Sequence, residues 1–439
     1  MNLLVFFAEA FSEGSVILPN IIFAGLFFNH FGSYDYLLPF VLLYSFEKAG
    51  PFAIQGFGRI RNPYRILKLF LPIAVLGSIV TLFGYKSHIL WSIGASLIGI
   101  GLSIFMPFYK TVKDELKENG RWKYKNSTIK GYLTLGILTV VYMIVRRVNI
   151  NYVFLIFTFV LFGVLYFVIN LDVPDKFKND RMFKPHNLGL RYFIPSVLIF
   201  LLTLAARSLK QTSNTEFLIY MLMLFCIFIL SDIFFKKRSY RVHSLQSVWY
   251  GAVRNFFTIY SLIYFTAIGK YDYVAISYSM IALALVLAKA ASVIVTKRIS
   301  GYVYEVFCII MAMISSLLIL IPKMYMAGIL LGCMFVAMGN SSAVKAYLKD
   351  NSFVKYERRL VKSRFYSFGS VLQQVFLLSS LIVLSKLLLD NANIAIYSYA
   401  LYSADMGLKN VFWWTGALCI VSIWIFGIFI IHKTFTKKN

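Results

Sequence analysis

The chain has 439 residues, of which 59% are apolar, 18% aromatic and 14% charged, and its formal charge is +26 at pH 7. Soluble domains are about 45–50% apolar and about 25% charged, so this composition excludes a disordered chain and an ordinary soluble domain. We therefore predict an all-α integral membrane protein. Its excess of Lys and Arg is expected in cytoplasmic loops rather than on a nucleic-acid-binding surface.

Fourteen apolar stretches reach the length of about 17–25 residues that a helix needs to cross a bilayer. They cover approximately residues 3–28, 36–58, 66–84, 89–109, 131–146, 150–170, 191–206, 217–235, 247–268, 272–295, 301–321, 325–344, 365–388 and 411–432. The fifth and seventh are the shortest. Twelve crossings stay possible, because losing one adjacent pair would not disturb the alternation of the loops described next.

The loops between these stretches alternate in charge. One set holds 32 Lys and Arg residues and the opposite set holds 9, while Lys48, Arg254 and Lys289 lie within spans. Basic loops stay on the cytoplasmic side of a membrane. We therefore expect a multi-pass protein of the plasma membrane with both termini in the cytoplasm.

Several ionisable residues fall inside the predicted spans, where each costs about 2.5–3.5 kcal/mol at the bilayer centre. Glu9 and Glu13 lie four residues apart on span 1 and therefore share one helix face. We predict that Glu9 or Glu13 carries a proton. Lys48, Arg254 and Lys289 would hold an anionic group of the substrate or a deprotonated carboxylate. The alternative is that all of these groups form buried pairs that only hold helices together.

Two predicted spans contain helix-breaking residues. Gly14 and Pro19 interrupt span 1, and Gly50 with Pro51 interrupts span 2. Broken helices at membrane depth often mark transport sites, because the freed backbone groups can meet a substrate. An ordinary kink or close helix packing is the alternative. Asp232, near the cytoplasmic end of span 8, is interpreted as a structural partner of nearby lysines.

The sequence contains no nucleotide-binding loop, zinc-protease motif or serine nucleophile motif. We predict no catalytic residue, no metal site and no cofactor, and we do not expect an enzyme. The expected partners are a small-molecule or lipid-like substrate and the lipid bilayer, without nucleic acid, and the chain is expected to be a monomer.

Two basic loops look related. Each follows a Lys-Ala pair inside an apolar helix, and they contain Gly56, Gly58, Arg59, Arg61 and Arg65 after span 2, and Lys297, Arg298 and Gly301 after span 10. They resemble the signature between the second and third helices of the major facilitator superfamily, written G-x-x-x-D-R/K-x-G-R-R/K. The Asp of that signature is absent from both loops. A glycine-rich span 4 and the last two spans extend the resemblance over most of the chain.

The resemblance implies a 14-helix variant of that fold, with two six-helix bundles and an inserted helix pair. The expected domains are residues 1–172, a linker with two helices at 173–242, and residues 243–439. It further implies a secondary active transporter that works by alternating access, coupled to protons, for a small or amphipathic solute. Cationic side chains favour an anionic or zwitterionic solute. The expected gating-loop residues are Gly56, Arg59, Arg61, Arg65, Lys297 and Arg298.

Two other functions stay open from the sequence. A flippase or exporter of a lipid-linked saccharide also has fourteen spans, but its family places the two extra helices at the C-terminus. An integral-membrane enzyme such as a polymerase would show a cluster of acidic or His residues at one membrane face. The boundary between the repeated halves distinguishes the first of these from the transporter.

Overall fold

The computed structural model describes residues 2–29, 34–184, 189–208, 223, 241–390 and 406–436, and most of these residues lie in helices. The helices are α1 (Asn2–Gly14), α2 (Ile17–Asn29), α3 (Tyr34–Gly56), α4 (Pro63–Leu82), α5 (His88–Leu102), α6 (Phe105–Glu118), α7 (Ser127–Val148), α8 (Ile150–Ile169), α9 (Asp175–Asn179), α10 (Leu190–Ser208), α11 (Arg241–Ala267), α12 (Tyr271–Thr296), α13 (Gly301–Leu317), α14 (Tyr325–Lys349), α15 (Arg358–Leu389) and α16 (Met406–Thr436). A short 3-10 turn precedes α5, and two more join α13 to α14.

The prediction of an all-α membrane fold is confirmed. Within the described ranges, nine helical segments are long and apolar enough to cross a membrane, and the broken pair α1–α2 makes a tenth. Every predicted span that falls within those ranges contains a helix. The predicted span at 217–235 and Asp232 lie outside them, so the count of fourteen stays a prediction.

The first predicted span is broken, as Gly14 and Pro19 indicated. α1 and α2 are bent by 71° across the two residues between them. A side chain at Gly14 would collide with Leu135, because its Cβ would lie 2.4 Å from that residue's Cδ1. The side-chain amide of Asn20 donates to the carbonyl of Val16 at 2.5 Å, and the backbone amide of Asn20 donates to the same carbonyl at 3.4 Å.

The second predicted span is not broken. α3 runs without interruption through Pro39 and Pro51. A Cβ at Gly50 would lie 2.1 Å from the Ser103 hydroxyl, so this glycine allows close packing rather than ending the helix. The prediction of an interruption at Gly50 and Pro51 is therefore wrong, and the close-packing alternative explains the glycine.

The chain divides into two compact units. Unit 1 comprises Met1–Leu204 together with Asn351–Arg364, and unit 2 comprises Ala205–Asp350 together with Phe365–Asn439. Helix α15 therefore begins in unit 1, and its later residues belong to unit 2. The domain limits predicted from the sequence, 1–172, 173–242 and 243–439, stay a prediction.

Inside unit 1, glycines let α4 and α5 approach each other closely. A Cβ at Gly77 would lie 2.7 Å from the carbonyl oxygen of Gly94, and a Cβ at Gly94 would lie 2.8 Å from that of Gly77. The same Cβ at Gly94 would lie 2.4 Å from Cγ2 of Thr81. Lipid supplies no hydrophobic force between helices, so helices in a membrane associate largely through van der Waals packing. Small residues favour this association because they let the helix backbones approach closely. The glycines of the fourth predicted span therefore form a packing face.

We expect Gly94→Ala to lower the melting temperature of the detergent-solubilised protein, because the new methyl group meets backbone on α4 and the two helices must separate. Gly136→Ala is the matched control: it lies in α7, and a Cβ there has no neighbouring atom within 4 Å. The control should leave stability unchanged or raise it, since Ala is favoured over Gly in helices by about 1 kcal/mol. Equal melting temperatures for the two variants would contradict this account of the packing.

Candidate functional site

A buried ionic cluster surrounds Glu9 in unit 1. The Glu9 side chain is 2% exposed and forms an ion pair with the ammonium group of Lys113. Its Oε1 also accepts hydrogen bonds from the Tyr109 hydroxyl at 3.2 Å and from the Ser127 hydroxyl at 3.3 Å. Lys113 donates in addition to the Thr128 hydroxyl at 2.8 Å. The carboxylate thus meets one cation and two neutral donors in a place that excludes water.

Three helices assemble this cluster. Tyr109 and Lys113 are four residues apart on α6 and therefore share a face. Ser127 begins α7, and Gly131 one turn later lets α7 come close to α1: a Cβ at Gly131 would lie 2.3 Å from that of Glu9. The position of the carboxylate is therefore fixed by close packing as well as by hydrogen bonds.

Glu13 has a lysine partner of its own. Its Oε1 lies 2.6 Å from the Nζ of Lys110, and the two side chains are 16% and 22% exposed. Glu9 and Glu13 are one turn apart on α1, and their partners Lys110 and Lys113 are one turn apart on α6. The two ion pairs therefore join the same two helices about one turn apart. The pair of Glu13 and Lys110 is more exposed to solvent than the pair of Glu9 and Lys113.

A second polar group of unit 1 lies between α2 and α3. Glu47 is 3% exposed, and its Oε2 accepts a hydrogen bond from the Asn20 amide at 3.1 Å. The Nζ of Lys48 lies 4.9 Å from the centroid of the Tyr44 ring, and Lys48 is 8% exposed. A cation over an aromatic face is stabilised by the ring quadrupole, which makes the burial of Lys48 tolerable.

The predicted residues of unit 2 have different surroundings. Arg254, on α11, lies close enough to Tyr366 and Cys333 to interact electrostatically with both side chains. Lys289 is exposed on the surface of α12. Of the five predicted binding residues, Glu9, Glu13 and Lys48 thus lie at polar positions of unit 1, and their roles in binding stay a prediction, as do those of Arg254 and Lys289.

Sequence reasoning missed an acidic residue of unit 2, Glu305. It lies five residues into the apolar helix α13 and accepts hydrogen bonds from the Gln246 amide at 3.0 Å and the Ser342 hydroxyl at 2.9 Å. Within the described residues, no Lys or Arg forms an ion pair with it. Glu305 could have been identified by the same pattern as Glu9, because it is an acidic residue inside an apolar helix.

The predicted gating loop of unit 1 is held by residues 177–184. The Nε of Arg61 lies 3.2 Å from Oδ2 of Asp180, and Nη2 of Arg65 donates to the carbonyl of Lys178 at 2.5 Å. The carbonyl of Arg59 accepts from the backbone amide of Lys184 at 2.9 Å. Gly56, which ends α3, could not carry a side chain, because its Cβ would lie 2.6 Å from the ring of Phe193.

A carboxylate reaches this loop although the signature Asp is absent from it. The backbone amide of Ile60 donates to Oε1 of Glu357 at 2.9 Å, and these residues are 297 positions apart in the sequence. Lys297 and Arg298, the predicted gating residues of the other basic loop, follow α12 and are exposed. The gating roles of both loops stay a prediction.

Glu357 belongs to residues 351–364, which we call the clasp. Within unit 1, Nζ of Lys355 lies 2.8 Å from Glu115 and 2.6 Å from Glu118, and Nη2 of Arg359 lies 2.5 Å from Asp114. Asp114 and Glu115 are adjacent near the end of α6, and Glu118 follows about one turn later. The clasp therefore binds the same helix that carries Lys110 and Lys113.

Two lysines at the clasp stay charged at ordinary pH. Burial alone would lower the pKa of Lys355, but its ion pairs with Glu115 and Glu118 outweigh burial and raise that pKa. The hydrogen bond to the Tyr356 hydroxyl raises the pKa of Lys176. Because the pKa of each lysine is higher in the folded protein, its contact is stabilised at every pH below the ordinary lysine pKa of 10.5. This stabilisation is lost only as the pH rises through the pKa of the lysine in the folded protein. These lysines therefore do not release the clasp between pH 6 and about 9.

No family model and no curated protein matches the sequence. The structure, by contrast, matches solved transporters over nearly its whole length. These include the Escherichia coli fucose:proton symporter (11% identity, 95% of this chain and 97% of that chain, TM-score 0.52) and the nucleoside transporter NupG (12%, 97% and 96%, 0.54). A POT-family transporter in complex with a thioalcohol-conjugated peptide matches at 12% identity over 98% of this chain and 95% of that chain, with a TM-score of 0.58.

The chain has the major facilitator fold. The likeness to transporters of this type confirms the fold predicted from the basic loops, the glycine-rich span and the last two spans. At 11–12% identity the likeness shows the architecture of the chain and not the roles of individual residues. Within the major facilitator fold described here, the lysine-paired carboxylates of unit 1 are the strongest candidate for a functional site.

We expect Lys113→Met to destabilise the protein strongly in detergent, because it leaves the carboxylate of Glu9 buried without a cation. Removing one partner of a buried pair costs about 3–5 kcal/mol. The double variant Glu9→Gln with Lys113→Met should recover much of the melting temperature. The control is Asp172→Asn, which breaks an exposed pair with Arg121 (3.3 Å) and should cost at most about 1 kcal/mol. A similar loss in both single variants would show that the Glu9 site is not desolvated.

Proposed function

We propose that this protein is a proton-coupled secondary active transporter that works by alternating access and moves a small or amphipathic solute. The observation that carries the proposal is the buried pair of Glu9 and Lys113 beside a broken first helix. An ionisable pair inside a membrane is expensive, and in transport proteins such groups usually bind ions, protons or substrate. The major facilitator fold supplies the two bodies that alternating access requires.

The coupling step follows from the contacts of Glu9. In the charged state its carboxylate neutralises Lys113 and accepts from Tyr109 and Ser127. A proton placed on the carboxylate removes its charge and leaves the ammonium group of Lys113 without its counter-ion. Lys113 is then free to bind an anionic group of the solute. Loss of that proton restores the pair and displaces the anion. Glu13 and Lys110 repeat this arrangement nearer to water, so they form the route by which a proton reaches Glu9.

An anionic or zwitterionic solute fits this step best. Only a solute with a negative group would replace Glu9 as the partner of Lys113, and Lys48 and Arg254 add cationic groups elsewhere in the fold. The named solutes of the solved structures, fucose, nucleosides and peptides, differ widely and do not choose among solute classes. Neither they nor the contacts of this chain favour a lipid-linked saccharide.

The clasp is the proposed latch of the cycle. It is bound to unit 1 through Lys355 and Arg359, while the helix that begins in the clasp at Arg358 continues as part of unit 2. A motion that pulls on α15 therefore has to break these ion pairs. Partly exposed pairs are worth about 0–1 kcal/mol each, so the latch can be opened and closed reversibly.

The test of the function is uptake by proteoliposomes under an imposed pH gradient, measured for a panel of sugars, nucleosides, amino acids and organic acids. We expect at least one anionic or zwitterionic solute to accumulate, and Glu9→Gln to abolish the dependence of accumulation on the pH gradient while exchange of solute persists. Asp172→Asn is the matched control, because it removes an exposed carboxylate of the same unit. Full gradient dependence in Glu9→Gln would remove Glu9 from the coupling role.

The latch makes a separate prediction. Lys355→Glu should weaken the clasp, because it replaces attraction to Glu115 and Glu118 by repulsion. Adding Glu115→Lys and Glu118→Lys to that variant should restore the transport rate toward the original. A distance between spin labels on the clasp and α6, measured by electron resonance, should lengthen in the single variant and recover in the triple variant. A transport rate that the charge swap leaves unrestored would show that the pairs serve only folding.

A further inference from the structure

The loop between α6 and α7, residues 119–126, lies beside the buried pair of Glu9 and Lys113. The ring of Trp122, near the middle of this loop, faces the ammonium group of Lys113, and its centroid lies 5.2 Å from the Nζ atom. The side chains of Lys113 and Glu9 are 7% and 2% exposed, whereas Lys123, next to Trp122, is exposed. Trp122 therefore stands between the ion pair and the solvent at this end of unit 1.

Two further aromatic rings pack against Trp122. Tyr124 meets it edge-on, with ring centroids 5.3 Å apart, and Phe167 of α8 lies 6.4 Å from Trp122 and 5.7 Å from Tyr124. Tyr124 also lies close enough to Tyr109, whose hydroxyl donates to Glu9, to interact with it electrostatically. We call Trp122, Tyr124 and Phe167 the aromatic cap. Rings at these separations attract one another, so the cap covers the ionic cluster with a continuous apolar layer.

The cap is oriented by its own loop. The backbone amide of Trp122 donates to the carbonyl of Leu116 at 3.2 Å, and the indole donates to the carbonyl of Tyr124 at 3.1 Å. Neither bond joins the loop to Glu9 or Lys113. Left-handed backbone marks both ends of the loop, with φ of 66° at Gly120 and 54° at Asn126. A rotation of the loop about these ends would lift the Trp122 ring off Lys113 without breaking either bond.

The opposite side of the ion pair is polar. Lys113 interacts electrostatically with Glu9, Lys117 and Lys110, which all lie on α1 or α6. Lys110 in turn pairs with Glu13, and these two side chains are 22% and 16% exposed. Helix α8, which supplies the ring of Phe167, carries no charged residue. Glu9 therefore has two approaches, a polar one past Glu13 and Lys110 and an apolar one through the aromatic cap.

We propose that the aromatic cap is a gate that closes Glu9 to protons at the α6–α7 end of unit 1, and that Trp122 is its gating residue. The inference rests on the proposed role of Glu9 in proton coupling. While the cap is closed, protons reach Glu9 by way of Glu13 and Lys110. When the Trp122 ring is displaced, water reaches the carboxylate from the second side as well. A carboxylate open to both sides at once passes protons without solute, so the cap keeps proton movement tied to solute movement.

The test is proton leak in proteoliposomes that contain no solute. An enclosed fluorescent pH indicator reports the decay of an imposed pH gradient, while potassium and valinomycin clamp the membrane potential. We expect Trp122→Ala to raise the decay rate about tenfold, which corresponds to a barrier lower by about 1.4 kcal/mol. Trp122→Phe keeps a ring at the position and should retain a rate close to that of the unaltered protein. Trp414→Ala removes an exposed tryptophan of unit 2 and should leave the rate unchanged.

A double variant shows whether the leaking protons pass through Glu9. Adding Glu9→Gln to Trp122→Ala should return the decay rate to that of the unaltered protein, because an amide does not take up the proton. A leak that persists in the double variant would overturn the proposal, since it would bypass the ion pair. An unchanged decay rate in Trp122→Ala would overturn it too and would leave Trp122 a purely structural residue. Trp122→Leu, measured in parallel, carries the same expectations should the alanine variant fail to fold.

Failure of this proposal differs visibly from failure of the proposed function, because the leak is measured without solute. Solute accumulation that follows the pH gradient, together with no leak in Trp122→Ala, would overturn the gate and keep the transport function. A leak through Glu9 in a protein that accumulates none of the tested solutes would support the gate and contradict the proposed function.

Discussion

The pairing of Glu9 with Lys113 is the interaction on which the rest of unit 1 depends. Two opposite charges removed from water repay their desolvation only when their geometry is close and their remaining hydrogen-bonding groups are satisfied. Here Tyr109, Ser127 and Thr128 provide those groups, so three helices are positioned by one carboxylate and one ammonium group. Such a site is rigid while both partners are charged. Loss of either charge would leave the other buried without a counter-ion, which would destabilise the site.

Close packing of small residues makes the ionic sites possible. Gly131 allows α7 to touch α1 at Glu9, and Gly77 with Gly94 brings α4 against α5. A lipid environment offers no hydrophobic force to press helices together, so van der Waals contact and polar pairs have to do so. The glycines and the buried charges therefore act jointly, because the glycines let the helices come close enough for the buried charges to pair.

Much of this could be predicted from the sequence, and the failures share one physical cause. Hydropathy gave the helices, and the spacing of Glu9 and Glu13 placed them on one face. Their lysine partners could not be predicted, because the apolar run of the fourth span ends at residue 109. Lys110 and Lys113 were therefore expected to lie in a loop. In the structure α6 continues to Glu118. A lysine can be buried beyond the end of an apolar run when a carboxylate on another helix meets it, and hydropathy along one segment does not contain that information.

Contacts between residues far apart in the sequence could not be predicted from the local pattern either. The pair of Arg359 and Asp114 joins residues 245 positions apart, and the amide of Ile60 meets a carboxylate 297 positions away. The local pattern showed only that the signature Asp is missing from the gating loop. The fold supplies a carboxylate from the clasp instead, and this changes the physical consequence. An Asp within the loop would be attached to the loop's own backbone, whereas Glu357 precedes a helix whose later residues belong to unit 2. Its hydrogen bond to Ile60 therefore depends on the position of the clasp, whereas the contacts of Arg59, Arg61 and Arg65 with residues 178–184 do not.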